Sequence, residues 1–478
     1  MPEDAAARHG SSLERLAALG RLVASSAEPL ARRLTDSARQ PAAVATADVL
    51  ALARVLSEYG TLLSRLEAGA IGHPLWAGRK VDVSSRVARG DVAAVLPEDG
   101  AAAAFGLLFA PAFLCGSDLS VFPAARTRSL FQTLEALAAE EGLGGLLKRR
   151  DGSSVFCGGE RAAFLARHLD PTCRTAVLQL HLRGDAVDEA TRQRVLRKKE
   201  AFRLLVEGGA MNRFVVAAQL EDPAPAARAL VDAALAGGGR ARSRAEVVDV
   251  HESVLPRLLP LLVELASAAP VGDPYETRTR VGPFPLEDAR TVASRVEAAL
   301  ARGAALAFAT ERAGKLPLVA GEGARSAFLL PSYRGTEPYA FLPVTVLTGF
   351  DGEGPLATEP TAAPVVAIRT FREDAELVPR ILDSPYGLGA TLFGDDLETL
   401  HADLVQVLAE CHGSVSLNAP THDGTDGPDP LLLPSGGYRS SSRTILPGTV
   451  EGCPALTELE TGPTFSFLAL TKPAGGER

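Results

Sequence analysis

The most reactive side chains in this sequence are those of its five cysteines. They stand singly, at Cys115, Cys157, Cys173, Cys411 and Cys453. No two of them form a Cys-x-x-Cys pair, so neither a zinc ribbon nor a disulfide framework is indicated, and reduced thiols are the simplest interpretation. Cys157 precedes Gly158 and Gly159 ahead of a predicted helix, where the helix dipole would favour its thiolate.

Other patterns with chemical meaning lead to negative conclusions. The histidines considered as metal ligands are His181, His251, His401, His412 and His422. They show no i, i+4 pair beside a carboxylate, so the sequence predicts no metal site. Gly237–Gly239 is not followed by Lys-Ser or Lys-Thr, so no phosphate-binding loop is indicated. The basic residues of Arg194–Lys199 are balanced by nearby acids and indicate a solvated helix face.

The elements that must position such residues are helical at the start of the chain. Leucines and valines recur at helical spacing in two stretches, Leu13–Leu22 and Val49–Leu62. From Val92 onward, short apolar runs of strand length alternate with helical stretches. This alternation predicts parallel sheets with helices on both faces, because each crossover between parallel strands places a helix there.

Two series of alternating elements follow from this pattern. The predicted strands are Val92–Pro97, Leu119–Pro123, Ser154–Cys157 and Ala176–Leu180, then Phe214–Ala218, Ala305–Ala309, Val365–Phe371, Ser414–Asn418 and a late strand, Thr464–Leu470. The predicted helices are Gly106–Leu114, Ser129–Glu141, Arg161–His168, Ala224–Leu235, Leu286–Arg302 and Asp396–Cys411. Stretches rich in Pro and Gly, predicted to be long ordered loops, are Ala269–Pro285, Gly349–Pro364 and Asp423–Pro434. The sequence therefore predicts two α/β domains.

Four segments carry motifs in addition to periodicity. They are Gly272–Pro274 with Val281–Pro283, Asp383–Ala390 (Asp-Ser-Pro-Tyr-Gly-Leu-Gly-Ala), Gly413–Asn418, and Ser435–Arg443 (Ser-Gly-Gly-Tyr-Arg-Ser-Ser-Ser-Arg). In this order and spacing the chain resembles the aldehyde dehydrogenase superfamily. The resemblance implies two doubly wound parallel-sheet α/β domains plus a small β arm for oligomerisation.

The same resemblance implies the bounds of these units. A Rossmann-like cofactor-type domain would cover residues 1–76 and 91–200, a catalytic-type domain 201–455, and the arm 77–90 and 456–478. The arm would assemble the chain into a homodimer or homotetramer, because an unpaired strand otherwise invites aggregation. A small-molecule ligand would lie in the cleft between the domains.

The superfamily's reaction oxidises an aldehyde with NAD or NADP. A thiolate attacks the carbonyl carbon, a donor stabilises the oxyanion, a carboxylate activates water, and the nicotinamide accepts hydride. In the family the nucleophilic Cys follows a Gly-Gln pair, after a helix and before a strand. Val206–Val216 resembles that stretch and places Met211 at the nucleophile position. A thioether has no ionisable proton, so it cannot form the covalent intermediate.

The other groups of the reaction are also replaced in this comparison. The base belongs to a Leu-Glu-Leu-Gly-Gly stretch, and the best match, Leu178–Leu182, places the amide Gln179 there. An amide does not take up a proton near neutral pH. The oxyanion donor belongs to a Pro-Trp-Asn stretch, and the equivalent here is Asp99, whose negative charge would repel an oxyanion.

The cofactor contacts that the resemblance implies are largely replaced as well. Phe122 stands where the family has the Lys that reaches the adenosine ribose, and Pro360 stands where it has a ribose-binding Glu. Phe156–Gly159 is similar to the Phe-Thr-Gly-Ser turn that faces the pyrophosphate, so Cys157, Gly158 and Gly159 remain candidate cofactor contacts. Cys157 is also the alternative nucleophile.

Charge and hydropathy exclude other classes of protein. Lys plus Arg number 49 and Asp plus Glu 58, so the formal net charge is −9, which argues against a nucleic-acid partner. No run reaches the ~18 uncharged apolar residues of a membrane span, and the longest, Ala101–Cys115, predicts a buried helix. No signal peptide is evident, so we expect a cytoplasmic protein.

These observations predict a divergent superfamily member that is inactive in ordinary aldehyde oxidation and has a ligand-binding or scaffold role. NAD or NADP binding is not assured by the residues present. The alternative is a working NAD(P)-dependent aldehyde or acyl oxidoreductase with a non-standard site.

Overall fold

The computed structural model of the chain describes residues 3–70, 86–182, 187–199, 201–310, 312–313, 316–317, 328–330, 339–419, 437–450, 453–460 and 471–473. The helices are α1 (Glu3–Ser25), α2 (Ala27–Ala38), α3 (Ala42–Ala70), α4 (Ala101–Leu114), α5 (Arg128–Glu140), α6 (Arg161–His168), α7 (Glu189–Val195), α8 (Ala224–Ala234), α9 (Ala236–Gly239), α10 (Leu255–Ser267), α11 (Leu286–Ala301), α12 (Pro355–Thr358), α13 (Leu377–Leu382), α14 (Leu397–Leu400) and α15 (Ala402–Cys411).

The strands are β1 (Arg86–Ala88), β2 (Asp91–Val95), β3 (Leu119–Phe122), β4 (Thr175–His181), β5 (Arg203–Glu207), β6 (Asn212–Val216), β7 (Ala245–His251), β8 (Phe284–Pro285), β9 (Ala305–Ala309), β10 (Arg312–Ala313), β11 (Leu316–Pro317), β12 (Phe328–Leu330), β13 (Tyr339–Phe341), β14 (Thr345–Thr348), β15 (Val365–Phe371), β16 (Tyr386–Gly387), β17 (Gly389–Phe393), β18 (Ser414–Leu417), β19 (Tyr438–Arg439), β20 (Ser442–Val450), β21 (Cys453–Glu460) and β22 (Thr471–Pro473). The mostly parallel sheets that they form confirm the predicted α/β class.

The chain begins with helices, as its leucine spacing predicts. Leu16 and Leu19 of α1 and Val49 and Leu52 of α3 are fully or almost fully buried. They belong to one apolar core with α4, the helix predicted from the longest apolar run. Because α4 is buried on nearly all sides, its sequence is apolar around the whole helix and not only on one face.

The first sheet has six strands in the order β21-β20-β5-β4-β2-β3. The strands β2 to β5 are parallel, and β20 and β21 extend the sheet in antiparallel fashion beside β5. Phe105 and Phe131 lie in the core on one face, and Phe164 and Phe202 in the core on the other. Both faces are therefore covered, as parallel strands require.

The second sheet has seven strands in the order β18-β17-β6-β7-β15-β14-β9, of which only the edge strand β9 is antiparallel to its neighbour. Residues 203–207 and 442–460 thus belong to the first sheet, although the predicted domain bounds place 203–207 and 442–455 in the second domain. The reason is hydrogen bonding: β5 pairs with β4, and β20 continues the ladder beyond β5.

Two predicted strands have a different outcome. Ser154–Cys157 forms no regular strand, only isolated bridges from Phe156 to Val121 and from Ser154 to Lys148. Thr464–Leu470 and residues 77–85 lie outside the described residues. Next to them, β1 pairs in antiparallel register with β22.

The two sheets meet where β5 of the first runs into β6 of the second through residues 208–211. The carboxyl ends of β4 and β5 therefore face the amino ends of β6 and β7, and we call this meeting edge the junction. The backbone N–H of Gly208 donates to the carbonyl of Ser441, which precedes β20 (2.9 Å). Residues of both sheets come together here over a very short length of chain.

Candidate functional site

Met211 lies in the connection at the junction and is 4% exposed. The element before it is the strand β5 and the element after it is β6. In the family pattern that assigns Met211 to the nucleophile position, a helix comes before the nucleophile. The placement of Met211 after a strand differs from that pattern. The role of Met211 as the nucleophile position therefore stays a prediction.

A second segment at the junction does follow a helix and precede a strand. The helix α8 leads into Gly237–Gly239, whose φ angles of 60°, 71° and 82° are all left-handed, and the chain then reaches β7 through Arg240–Arg244. Left-handed backbone favours glycine, which explains the triplet. This segment reads Gly-Gly-Gly-Arg-Ala-Arg-Ser-Arg and also contains no cysteine. From sequence alone the triplet indicates no site, because no phosphate-loop lysine follows it.

Arg242 of this segment joins the two sheets. Its Nη1 lies 2.9 Å from Glu207 Oε2, and its Nε donates to the carbonyl of Gly208 (2.9 Å). A third bond runs from Nη2 to the carbonyl of Ser441. One guanidinium thus donates to three groups at the end of the first sheet. The planar arrangement of its N–H groups suits this geometry.

Glu207 is a junction residue that sequence reasoning missed. It ends β5, its Oε1 accepts a hydrogen bond from Ser442 Oγ (3.2 Å), and its side chain is 15% exposed. Its position directly before Gly208 and Gly209 is the signal that could have found it. The Leu-Glu-Leu-Gly-Gly stretch ends in the same glycine pair, which Leu178–Leu182 lacks.

Gln179 and His181 lie on the neighbouring strand β4 and share one face of it. Gln179 Nε2 lies 3.2 Å from His181 Nε2, and because an amide nitrogen can only donate, the ring nitrogen accepts. Burial lowers the pKa of His181 to about 4, although nearby Glu207 opposes the shift. The imidazole is therefore neutral at pH 7, and Gln179 supplies no carboxylate.

Asp99 lies in the turn between β2 and α4, where its Oδ1 accepts from Gln40 Nε2 (3.3 Å). The helix start beside it is already occupied by another carboxylate. Asp48 accepts hydrogen bonds from the backbone N–H groups of Ala102 (3.1 Å) and Ala103 (3.0 Å). Burial raises the pKa of Asp48 to about 6, and the charge of Asp99 adds to the effect. Such an edge repels an oxyanion or a pyrophosphate.

Phe122 ends β3 and is part of the core, with 6% exposure. Its ring centroid lies 5.4 Å from that of Phe164 in α6, and the guanidinium of Arg128 lies over the ring at 5.9 Å. The side chain packs under the edge of the sheet and offers no polar atom to a ribose.

The turn at Cys157 is more open than the rest of this edge. Gly158 and Gly159 are exposed, and a Cβ atom added to either would meet nothing within 4 Å. The expectation that a helix dipole favours the Cys157 thiolate is wrong. The helix α6 begins only at Arg161, after the exposed carboxylate Glu160, and burial raises the pKa of the thiol.

Pro360 lies in the loop before β15, in the second domain. Its carbonyl accepts from Arg295 Nη1 (2.9 Å), and the next backbone N–H, that of Thr361, donates to Glu246 (2.9 Å). The structure therefore brings Met211 and Gln179 to the junction, leaves Phe122 at the far strand of the same sheet, and holds Pro360 in a loop fixed by its own domain.

Two further searches cover the described part of the chain alone. Among those residues, no three of His, Cys, Asp and Glu are grouped so that they could hold a metal ion. Within the same residues, no helix has both the length and the apolar character needed to span a bilayer.

Comparisons with known proteins point in one direction. The family model described as the aldehyde dehydrogenase family matches residues 187–459, more than half of the chain. Betaine aldehyde dehydrogenases of Brucella ovis and Brucella anthropi are 28% identical over 204 residues, which cover 42% of this chain. The matched part spans only 36% of the length of those relatives.

Solved structures extend the likeness to nearly the whole fold. An indole-3-acetaldehyde dehydrogenase in complex with NAD+ superposes with a TM-score of 0.76 at 20% identity, covering 97% of this chain and 83% of that one. The aldehyde dehydrogenase KauB of Pseudomonas aeruginosa gives 0.74 at 20% identity, with the same coverage. At this level of identity the likeness concerns the fold.

Proposed function

The chain belongs to the aldehyde dehydrogenase family, and from that premise we propose that it has lost the family's covalent oxidation of aldehydes and acts as a ligand-binding or scaffold protein. One observation carries the proposal. Two segments at the junction, residues 208–211 and 236–244, are candidates for the nucleophile position, and neither contains a cysteine. Without a thiolate no hemithioacetal forms, and hydride transfer loses its precursor.

The residues at the carboxyl edge of the first sheet also fit NAD or NADP poorly. A dinucleotide places its pyrophosphate against free N–H groups at a helix start. At α4 those groups are bonded to Asp48, and Asp99 adds a second carboxylate. At α6 the exposed Glu160 precedes the first turn, and Phe122 replaces a polar ribose contact. This edge therefore does not fit the dinucleotide.

A ligand at the junction would meet a polar surface built by both sheets. It is formed by Glu207, Arg242, Ser442 and His181, whose polar groups bond to one another and to neighbouring protein groups, so a polar ligand would have to share or replace those bonds. A small polar molecule in the cleft is the ligand that this surface favours. For assembly, we propose a homodimer or homotetramer formed through the β1–β22 arm, since paired arm strands leave fewer edges exposed.

Turnover with NAD+ or NADP+ and a panel of aldehydes tests this proposal. We expect no nicotinamide reduction above the rate without protein, measured by absorbance, while an active family member serves as positive control. Calorimetry with NAD+ should likewise show no micromolar binding. Reduction at enzymatic rates would refute the proposal.

The alternative, a working NAD(P)-dependent aldehyde or acyl oxidoreductase with a non-standard site, is favoured by Glu207. This carboxylate ends the strand that leads into Gly208 and Gly209, so it could accept a proton near the junction. If turnover is found, Glu207→Gln should abolish it, whereas Glu189→Gln in the exposed helix α7 should not. Equal activity of the two variants would exclude Glu207 as the base.

A further inference from the structure

A group of oxygen acceptors converges at the start of α4, where the connection between α2 and α3 meets the turn after β2. Asp48 of α3 and Asp99 of that turn are both half-buried. The charge of Asp99 contributes to the raised pKa of Asp48, so the two carboxylates are close enough to repel each other. A third carboxylate, that of Glu98, pairs with Arg126 (3.2 Å).

Gln40 adds a buried acceptor that none of the described residues satisfies. Its side chain is 1% exposed, and its Nε2 lies 3.3 Å from Oδ1 of Asp99 and 3.4 Å from the carbonyl oxygen of Glu98. Both oxygens accept, so the amide nitrogen must face them. Oε1 of the same amide group therefore lies beside the Asp99 carboxylate, and it has no hydrogen-bond partner among the described residues. A buried acceptor without a donor is costly, which indicates that a donor belongs at this point.

The charge of this site favours a cation. The start of a helix carries about half a positive charge, and the ionised carboxylates of Asp48 and Asp99 carry two negative charges. Asp48 already accepts from the N–H groups of Ala102 and Ala103 at the helix start. The excess charge is therefore negative, by about one and a half charges.

The acceptors suit an ammonium group better than a metal ion. Among the described residues, no three of His, Cys, Asp and Glu are grouped so that they could hold a metal. Mg²⁺ and Ca²⁺ take about six or more oxygen ligands, whereas a primary ammonium group has three N–H donors. Gln40, Asp48 and Asp99 offer one acceptor each for them. Gly100 beside them is exposed, and a Cβ atom added to it would meet nothing within 4 Å, so the rest of a ligand has room there.

We propose that the start of α4 binds the primary ammonium group of a small organic amine, with Gln40, Asp48 and Asp99 as its three acceptors. Binding is reversible and forms no covalent bond. The site lies two strands away from β5 and the junction, because β2 and β5 flank β4 in the first sheet. It does not depend on whether the chain oxidises aldehydes.

Titration of the whole protein at pH 7 with n-butylammonium chloride, followed by saturation-transfer NMR of the ligand, tests the proposal. We expect saturable binding with a dissociation constant on the order of millimolar, as suits a ligand of few atoms. Tetramethylammonium chloride at the same ionic strength supplies the same charge without N–H donors. It should bind at least about tenfold more weakly.

A pair of variants sharpens the test. Asp99→Asn removes one negative charge and keeps an oxygen for Gln40, so it should weaken n-butylammonium binding about tenfold. Asp151→Asn, which neutralises an exposed carboxylate elsewhere in the first domain, is the matched control and should bind as the parent does.

Three results overturn the proposal. The first two need no variant: n-butylammonium does not bind, or it binds no more tightly than tetramethylammonium, as a merely acidic surface would allow. The third is an Asp99→Asn variant with the thermal unfolding of the parent and unchanged affinity for n-butylammonium. None of these measurements involves nicotinamide reduction, so they are independent of the outcome for the proposed function.

Discussion

Glycines at turns of the second domain and of the first domain have different surroundings. A Cβ atom on Gly387 would overlap the backbone carbonyl of Cys411, and one on Gly437 would lie 2.6 Å from the carbonyl of Gly387. At Gly158 and Gly159 the same atom would meet nothing within 4 Å. The family motifs retained in the second domain are thus required by packing, whereas at the first-domain turn packing constrains nothing.

The comparison indicates how the fold would persist if, as we propose, the reaction has been lost. A residue that fills space in a packed core is costly to change whether or not a substrate binds. A residue whose partner was a ligand becomes free to change once the ligand is lost. Under our proposal, Phe122 and Asp99 would be replacements of the second kind, whereas Gly387 and Gly437 are residues of the first kind, which packing retains.

The largest effect is expected at the buried charges of the second sheet. Asp249 is fully buried, and Arg213, Arg369 and Arg380 all donate to its carboxylate. Burial alone would raise the pKa of Asp249, but these arginines hold it below its usual value. Asp249→Asn leaves their charges uncompensated, and we expect a loss of about 3–5 kcal/mol in the free energy of unfolding, measured with urea.

The matched control for this change is Asp151→Asn, since Asp151 is an exposed carboxylate of the first domain that bonds only locally. Its free energy of unfolding should stay within the error of the measurement. If the two variants were equally stable, the second domain would not depend on its charge network, and the contrast between the domains would weaken.

The glycine comparison itself predicts the next effect. Gly387→Ala should destabilise the protein by about 2–3 kcal/mol, because the new methyl group overlaps backbone atoms that cannot move independently. Gly158→Ala, in open space and without a left-handed φ, should change stability by less than about 0.5 kcal/mol. Urea unfolding of both variants measures the difference. Similar losses in the two would break the comparison.

Much of the fold could be predicted because its signals are local. The helix Arg161–His168 has the bounds that periodicity predicts, and Ala101–Leu114 forms the buried helix expected from its apolar run. Arg203–Glu207 was missed, because five residues with charges at both ends carry little alternation and their strand character comes from β4 and β20 on either side. Ser154–Cys157 shows the reverse: it contains apolar residues but makes only isolated bridges, to Val121 at the sheet edge and to Lys148.

The site was harder to predict because its residues meet only in the folded chain. The motif comparison placed the nucleophile at Met211, but only the structure shows that a strand, not a helix, precedes it. Glu207 and Arg242 are 35 residues apart in sequence, and nothing local indicates that they bond. Lys198 likewise reads as a surface charge until the carbonyls of residues 168–173 surround it.

The smallest of these effects on stability concerns the carboxylate that occupies the start of α4. Burial raises the pKa of Asp48 in the folded protein to about 6, above the ordinary value of an aspartate, so the folded state binds the proton more tightly than the unfolded state. Stability therefore falls as pH rises from about 4 to about 6 and is then constant with respect to this group. Asp48→Asn removes the ionisation but keeps only one of the two oxygens, so either Ala102 or Ala103 loses the acceptor of its N–H group at every pH. Because only the parent protein loses stability as Asp48 ionises, we expect the variant to gain about 1–2 kcal/mol relative to the parent between pH 4 and pH 7, measured by urea unfolding at both values. A difference between variant and parent that is the same at both pH values would mean that the carboxylate at the start of α4 is no more costly to ionise than one in water, and burial would then not distinguish this edge.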